Sequence, residues 1–445
     1  MTITDATRLN TQRLGIHWFR RDLRLADNAA LQVHNGQPLL GVFCFDDAYA
    51  EERCSSRRKA FLWQSVLKLK RKMEAVGGQL LILAGEPEHE LKSIIEVLQQ
   101  QQIVLTQVTT QTLPCSDEQQ QEQRVRQMLL DTCNLELHSV DSYTLWPLAE
   151  VQQCMHKPLV GYSPFRKKME PLLSNFRAID IETPTPQFIS IAESVLYNLH
   201  SLCLTDVDPS SSLFSFYVEV GENKARTQLQ RYCASNGAIR HYKDTRNGLV
   251  ANANVGPWFS SKLSAWLSIG TLCVKHVMAH IFQHEQRYGA NNSTYWLKLE
   301  LLWREFFQHL AFQQQEKLFY GSAQRHRHLA PAQVTGSLTD WQQGTTSNAF
   351  VNAAMRELNS SGYMSNRARQ NAASALIYDL ALDWREGAMW FEKQLLDYDP
   401  ASNYGNWQYI AGIVANSRGG SRFNLQKQQA LYDAEGLFVK TWSQA

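Results

Sequence analysis

The eight cysteines of this 445-residue chain stand singly at uneven spacing, with no C-x-x-C pair. That excludes a disulfide framework and points to reduced thiols. No stretch approaches the roughly 18 uninterrupted apolar residues of a membrane span, and the opening MTITDATRLN has no apolar core of signal-peptide length. A cytoplasmic protein without membrane contact is expected. No repeat of solenoid period is present, and the glutamine runs at 99–102, 119–121 and 313–315 are too short to form a low-complexity segment. No G-x-G-x-x-G follows the first apolar run, so dinucleotide binding by the usual phosphate turn is not supported. Charge is sparse, at 19% of residues with a net +2. The small sum hides an asymmetry: residues 1–215 carry 21 Lys and Arg against 25 Asp and Glu, while residues 216–445 carry 23 against 17. The C-terminal half is the basic one and favours an anionic partner.

What is present divides at about the same place. LGIHWF (14–19), LLGVFCF (39–45), QLLILAG (79–85), IVLTQVTT (103–110) and LELHSV (135–140) are short apolar or β-branched runs separated by helical patterns. In one of these, Leu62, Val66, Leu69, Met73 and Val76 recur at steps of four and three, with Ser55 or Ser56 as the cap and Gly77 and Gly78 at the end. This alternation predicts an α/β domain over 1–146 built on a doubly wound parallel sheet. Prolines crowd between Pro147 and Pro186, which predicts a linker over 147–213 wrapped over the surface. From 214 to 445 the patterns are helical throughout, which predicts an all-α second domain.

The segments that carry chemistry lie in that helical half. In FSSKLSAWLSIG (259–270), Ser260, Ser261 and Ser264 bracket Lys262 and Leu263 ahead of an apolar run, a pattern suited to an anion although often a mere cap. ELLWREFFQHL (300–310) puts Glu300, Trp303 and Arg304 on adjacent turns of a strongly apolar helix, where a charge needs a partner or a ligand. YMSNRARQNAASAL (363–376) gathers Asn366, Arg367, Arg369 and Gln370 at one helix start, and Asp397 is the natural carboxylate for an arginine there. DYDPASNYGNWQY (397–409) packs Asp397, Asp399, Asn403, Trp407 and Tyr409 into one run. His276, His280 and His284 share a helix face at metal spacing, yet no carboxylate or cysteine completes a site in sequence, and no metal is expected. QRHRH (324–328) reads as a basic loop for phosphate contact.

Taken together, HWFRRDLRLADNAAL, YKDTRNG, SSKLSAWLSIG, STYWLKLELLWREFF and the run from GYMSNRARQNAASAL to NYGNWQYIAG resemble the cryptochrome and photolyase family. The NYGNWQY motif and the ending RFNLQKQQALYDAEGLFVKTW are similar to its DASH cryptochromes more narrowly. The resemblance covers nearly the whole chain.

It implies FAD in the helical domain. By resemblance, Tyr242 and Ser260 to Ser264, with Lys262 and Leu263, hold its phosphates. Arg304, Asn366, Arg369, Asp397, Asp399 and Asn403 are implied around the rest of the cofactor, with Asn403 as a neutral amide at the reactive ring nitrogen. Trp407 matches the innermost member of an electron-relay chain and Trp384 the next. The surface member is unassigned, because Pro331 falls where the repair enzymes carry tryptophan, leaving Tyr320, Trp341 and Trp390 as substitutes. Glu300, Trp303, Asn366, Arg367, Gln370 and Tyr409 match the lesion pocket. The implied activity is a photolyase-type C–C lyase that splits cyclobutane pyrimidine dimers by an electron from light-excited reduced FAD. Tyr409 stands where DNA photolyases carry tryptophan, which favours lesions in single-stranded DNA over duplex DNA or RNA. A methenyltetrahydrofolate antenna near Asp117 or Glu118 is left open, since YTLWPLAEVQQ (143–153) departs from the DASH pattern there. A photoreceptor that signals without repair and a nucleic-acid-binding flavoprotein without turnover are the alternatives. The chain stops at Ala445, a few residues past the last motif, which disfavours a signalling tail. A monomer is expected.

Overall fold

The computed structural model describes residues 13–176, 184–191, 219–250, 259–321, 336–414 and 419–443. Five of the predicted strands form: β1 (Arg13–Phe19), β2 (Pro38–Phe45), β3 (Leu80–Ala84), β4 (Val104–Gln111) and β5 (Leu137–Val140). They pair in parallel in the order β3-β2-β1-β4-β5, with a two-residue β6 (Gln187–Phe188) added beside the start of β2. The apolar runs are continuous because both faces of the sheet are covered. Leu40, Val42, Leu81 and Leu83 pack under α2 (Pro87–Gln100) and α3 (Ser116–Cys133), whereas Leu39, Phe43, Phe45, Leu80 and Ile82 pack under α1 (Ser56–Glu74). Ser55 caps α1 by accepting the Arg58 N–H at 3.3 Å.

The proline-rich stretch is more ordered than a surface connection. It contains α4 (Leu148–Met155), α5 (Tyr162–Met169) and a 3₁₀ turn at Glu170–Phe176. Leu159, Phe165, Met169, Leu173 and Phe176 are buried in the same core as the first helices of the second half. Pro147 precedes α4, Pro158 separates α4 from α5, and Pro164 and Pro171 lie in the first turns of α5 and of the 3₁₀ segment, while the apolar residues among them dock each piece. Residues 177–183 and 192–213 of the predicted linker lie outside the described residues.

The helical half comprises α6 (Glu222–Tyr232), α7 (Ser264–Ser268), α8 (Val274–Tyr288), α9 (Asn292–Gln314), α10 (Ala349–Ser361), α11 (Asn366–Ser374), α12 (Trp384–Gln394), α13 (Pro400–Ala411) and α14 (Leu425–Tyr432), with shorter turns between them. Asn291 starts α9 by accepting the Ser293 and Thr294 N–H groups. Gly405 lets α13 lie directly on α9, since a Cβ there would sit 2.3 Å from the Phe307 ring. Among the described residues no helix is long and apolar enough to cross a membrane.

The two halves meet at the carboxyl edge of the sheet, beside the β1/β4 switch point where doubly wound folds place their ligands. The buried His17 ring hydrogen-bonds Asp22 Oδ2 at 2.8 Å, and Asp22 Oδ1 accepts the Arg20 N–H at 2.9 Å. This fixes the turn after β1 and aims Arg21 at the helical half. Arg21 Nη1 reaches Asp399 Oδ2 at 3.2 Å, and Tyr143 donates to the same oxygen at 2.6 Å. Asp399 Oδ1 accepts from Gln308 of α9 at 2.8 Å and from the Ser402 N–H at 2.7 Å, which caps α13. Burial alone would push the Asp399 carboxyl up, but Arg21 and Arg304, with the Tyr143 hydroxyl and the cap, hold it below the usual carboxylate range.

Asp399→Ala should therefore destabilise the protein by about 3–5 kcal/mol, because it takes the acceptor from the buried Tyr143 hydroxyl and Gln308 amide, leaves Arg21 with Glu118 alone and removes a helix cap. Since the folded carboxyl is depressed, its contribution is complete above the unfolded value of about 4 and is lost as pH falls through the lower folded value. Urea unfolding at neutral and acid pH checks both statements: the gap between wild type and variant must narrow with acid, and a constant gap refutes the assignment.

Candidate functional site

One cavity in the helical half collects most of the predicted site residues: Tyr242, Ser260, Ser261, Lys262, Ser264, Glu300, Asn366, Arg369, Gln370, Asp397, Asp399, Asn403 and Trp407 all line it. Its floor is set by local chain geometry. Lys262 adopts a left-handed backbone with φ 55°, which turns the chain sharply between Ser261 and α7. The Lys262 ammonium lies 3.7 Å from the Phe259 ring centroid and 3.8 Å from that of Tyr363. Burial lowers this amine to about 7, Arg369 adding to the effect while Glu357 and Asp397 oppose it. Glu357, fully buried on α10, is pushed up to about 8 by burial, against the pull of Lys262 and Arg369. Neither of its oxygens has a hydrogen-bond partner.

Ser365 caps α11 and so orients the arginines of its first turns. Arg369 donates to the Met364 carbonyl at 2.8 Å and to Asp397 Oδ2 at 2.7 Å, the pairing expected from sequence. The other carboxylate oxygen, Asp397 Oδ1, is buried in the cavity wall with no partner in the protein. Beside it, Asn403 donates through Nδ2 to the Ala388 carbonyl at 3.0 Å. A carbonyl can only accept, so this bond fixes the amide and leaves Oδ1 as its available acceptor. Trp407 packs against the backbone of α12 at Gly387, where a Cβ would fall 2.2 Å from the indole.

Near Glu300 the arrangement changes from acidic wall to mixed polar and aromatic surface. Glu300 pairs with Arg246, whose guanidinium stacks over Trp296 at 4.5 Å. Trp303 is stacked face to face with Tyr162, centroids 3.7 Å apart at 10°, and meets Tyr409 edge to face at 5.6 Å. Arg367 donates to Asn247 at 3.1 Å and covers Tyr432. Gln370 Oε1 is buried without a partner.

Other expected residues are placed elsewhere. Arg304 turns away from the cavity: it pairs with Glu305 at 2.9 Å, donates to the Tyr143 carbonyl at 3.2 Å and stacks on the Tyr143 ring. Asp399 touches the cavity, yet all four of its hydrogen bonds go to protein donors. Both residues belong to the domain junction, whose partners Arg21 and Tyr143 lie far away in sequence. Leu263 is buried behind the cavity wall. Trp384 is also buried, with Tyr404 as its ring neighbour, while Trp407 touches Trp341 and Phe391. Trp341 is fully buried and Tyr320 mostly exposed. Pro331 and the QRHRH loop fall outside the described residues. His276 and His280 contact each other, and His284 bonds the Cys233 carbonyl. Among the described residues no group of three or more His, Cys, Asp and Glu could hold a metal.

Sequence reasoning passed over Arg246 and Tyr363, although both sit inside segments that it singled out. A second cavity, lined by Arg20, Arg53, Arg58, Tyr49 and Phe61, lies at the sheet edge, where an antenna near Asp117 or Glu118 was left open. Asp117 and Glu118 reach this cavity, but Glu118 is engaged by Arg21 at 2.9 Å. Tyr398 lines both cavities and forms a shared wall.

Residues 296–444 match the family described as the FAD binding domain of DNA photolyase, and residues 15–187 match the family described as DNA photolyase. The chain is 35% identical over 443 residues to a cryptochrome DASH of Idiomarina loihiensis, covering 97% of this chain and 93% of the relative. It is 32% identical to a cryptochrome DASH of Synechocystis, covering 96% and 86%. Among solved structures, a Synechocystis cryptochrome superposes with a TM-score of 0.83 at 30% identity, over 98% of this chain and 89% of that one. A bacterial class III photolyase from Agrobacterium tumefaciens gives 0.80 at 26% identity, over 99% and 88%.

The lowered amine of Lys262 has a measurable consequence. Above pH 7 it is largely neutral, and a phosphate-bearing ligand beside it restores the charge, so binding takes up a proton. Affinity for FAD should fall between pH 7 and 9 by up to about tenfold per pH unit, the limit for one linked proton. Lys262→Met, which keeps the stem against the two rings, should flatten that slope in binding isotherms; a wild-type affinity independent of pH refutes it.

Proposed function

We propose a function from the premise that this chain belongs to the cryptochrome DASH family within the photolyases: light-driven splitting of cyclobutane pyrimidine dimers, preferentially in single-stranded DNA. The observation that carries the reading is the fixed Asn403 amide, its acceptor oxygen available beside the orphaned Asp397 Oδ1. Two acceptors, Asp397 held by Arg369 and Asn403 held by the Ala388 carbonyl, would complement the N–H edge of an isoalloxazine, which would supply the donor that the Asp397 oxygen lacks. FAD, when bound, supplies a light-excitable centre for electron transfer.

The chain's own residues have distinct tasks. Ser260, Ser261, Ser264, Lys262 and Tyr242 provide hydroxyls and one cation for phosphates. Arg369 and Asp397 orient the ring. Asn403 offers a hydrogen bond without an ionisable proton, so it favours a reduced ring that keeps its negative charge. Trp407 and Trp384 offer oxidisable indoles inside the α12/α13 packing, and they restore the reduced state without taking part in dimer splitting.

The lesion is read at the cavity mouth. Glu300 and Arg246 place acceptors and donors side by side, the complement of the N–H and carbonyl edge of a pyrimidine. Trp303, braced by Tyr162, gives a stacking face, with Tyr409 across it. A dimer must leave the helix to reach this mouth, and unstacking costs a few kcal/mol less when the strand is already single. A phenol returns less stacking than an indole, so the duplex penalty is less well offset.

Repair of a dimer in single-stranded DNA should exceed repair in a matched duplex by roughly tenfold or more, since each 1.4 kcal/mol is about tenfold. The comparison uses equal light dose and one ionic strength, because phosphate contacts make binding steeply salt-dependent. Equal rates on both substrates overturn the strand preference, and no repair on either overturns the activity. Separately, Trp407→Phe should keep its flavin but photoreduce slowly, while chemically pre-reduced variant still repairs; unchanged photoreduction, followed by absorbance, excludes this relay.

A further inference from the structure

The surface end of the electron relay is where the sequence runs out, and ring contacts supply it. Trp384 is fully buried, its indole N–H has no acceptor, and its ring meets Tyr404 edge to face with centroids 6.3 Å apart. Tyr404 is 4% exposed and donates its phenolic O–H to Glu392 Oε2 at 2.8 Å. The other oxygen of this buried carboxylate accepts from the Tyr49 hydroxyl at 2.9 Å. Arg53 Nη1 stands 3.7 Å from Glu392, and Arg58 donates to the Glu392 carbonyl at 2.7 Å and to the Tyr49 oxygen at 3.4 Å. Tyr49 is 36% exposed and lines the second cavity. Trp384, Tyr404, Glu392 and Tyr49 thus form a continuous line from the core to the protein surface.

A buried phenol is a poor electron donor unless its proton leaves with the electron, because the cation left behind would be an unpaired charge in an apolar site. Burial, and then the Glu392 carboxylate, push the Tyr404 hydroxyl well above the ordinary phenol range, so no tyrosinate stands ready to be oxidised. The carboxylate at hydrogen-bond distance removes this obstacle. When Trp384 is oxidised, it carries a positive charge in a site that also holds the negative charge of Glu392. Moving an electron from Tyr404 to Trp384 and a proton from Tyr404 to Glu392 cancels both charges at once.

We propose that Tyr404, with Glu392 as its proton acceptor, is the outward terminus of the photoreduction relay; this rests on the inward electron flow through Trp407 and Trp384 given above. In the step, the phenolic O–H bond breaks and a carboxyl O–H bond forms. Trp384 regains its electron, and Tyr404 becomes a neutral phenoxyl radical. Resetting takes one electron from an added thiol and the return of the proton from Glu392. Tyr49, bonded to the second carboxylate oxygen, lies between the pair and solvent.

The test is transient absorption and freeze-trapped electron paramagnetic resonance after a light pulse on the FAD-loaded full chain. Wild type, Tyr404→Phe and Glu392→Gln are compared in water and heavy water. In wild type a tryptophanyl radical should convert to a neutral tyrosyl radical, more slowly in heavy water, with a resonance that narrows when ring-deuterated tyrosine is incorporated. Both variants should stop at the tryptophanyl stage, Glu392→Gln doing so although its amide still accepts the phenolic hydrogen bond. Isotope effect and deuterium narrowing in wild type support the proposal even where a variant folds poorly. A tryptophanyl radical that decays identically in all three proteins overturns it and leaves the relay through Trp407 standing, whereas no tryptophanyl radical in wild type overturns both.

Discussion

Four hydrogen bonds to one carboxylate hold this molecule's two halves in a single geometry. Asp399 receives Arg21 from the turn after β1, Tyr143 from the segment after β5, Gln308 from the middle of α9 and Ser402 from its own helix. Each donor comes from a different structural unit, so the position of the carboxylate is over-determined. Asp399 is also the residue that starts α13, and the pose of that helix places Asn403, Tyr404 and Trp407. The chemistry of the cavity is thereby referenced to the sheet, through a side chain whose own bonds all go to protein.

A second principle is the separation of charge by burial. Along 397–399, alternate carboxylates do opposite work: Asp397 keeps one oxygen without a protein partner in the cavity wall, and Asp399 keeps none. Lys262 and Glu357 form a neighbouring pair in which burial weakens both charges, so the cavity is closer to neutral than its composition implies. Tyr398, between the two acids, faces both cavities and is covered by Arg58 at 4.3 Å. The three-residue run thus forms a partition with a different chemistry on each side.

Much of this was legible in the sequence where local pattern decides structure. The five strands, the Ser55 cap and the Arg369–Asp397 pair follow from periodicity, capping chemistry and the need of a buried charge for a partner. The cavity members followed from the resemblance, which assigns residues by motif. Arg304 and Asp399 have, besides the roles the resemblance implies, junction partners that no local pattern marks, a tyrosine and an arginine more than a hundred residues distant. Nothing local to ELLWREFF or DYDPASN announces Tyr143 or Arg21. The stretch after Pro147 was read from its proline spacing as a linker wrapped over the surface, and in its described residues short helices send a few apolar side chains into the core, which proline spacing alone does not announce.

The central helix α9 carries Glu300 and, two turns further on, Gln308, and both face fixed partners, Arg246 and Asp399. An α-helix turns by about 100° per residue. Inserting or deleting one residue between them swings one partner off its target whenever the other is kept. The segment can change its letters one by one, but its length is frozen, and the site and the seam between domains are inherited as one trait.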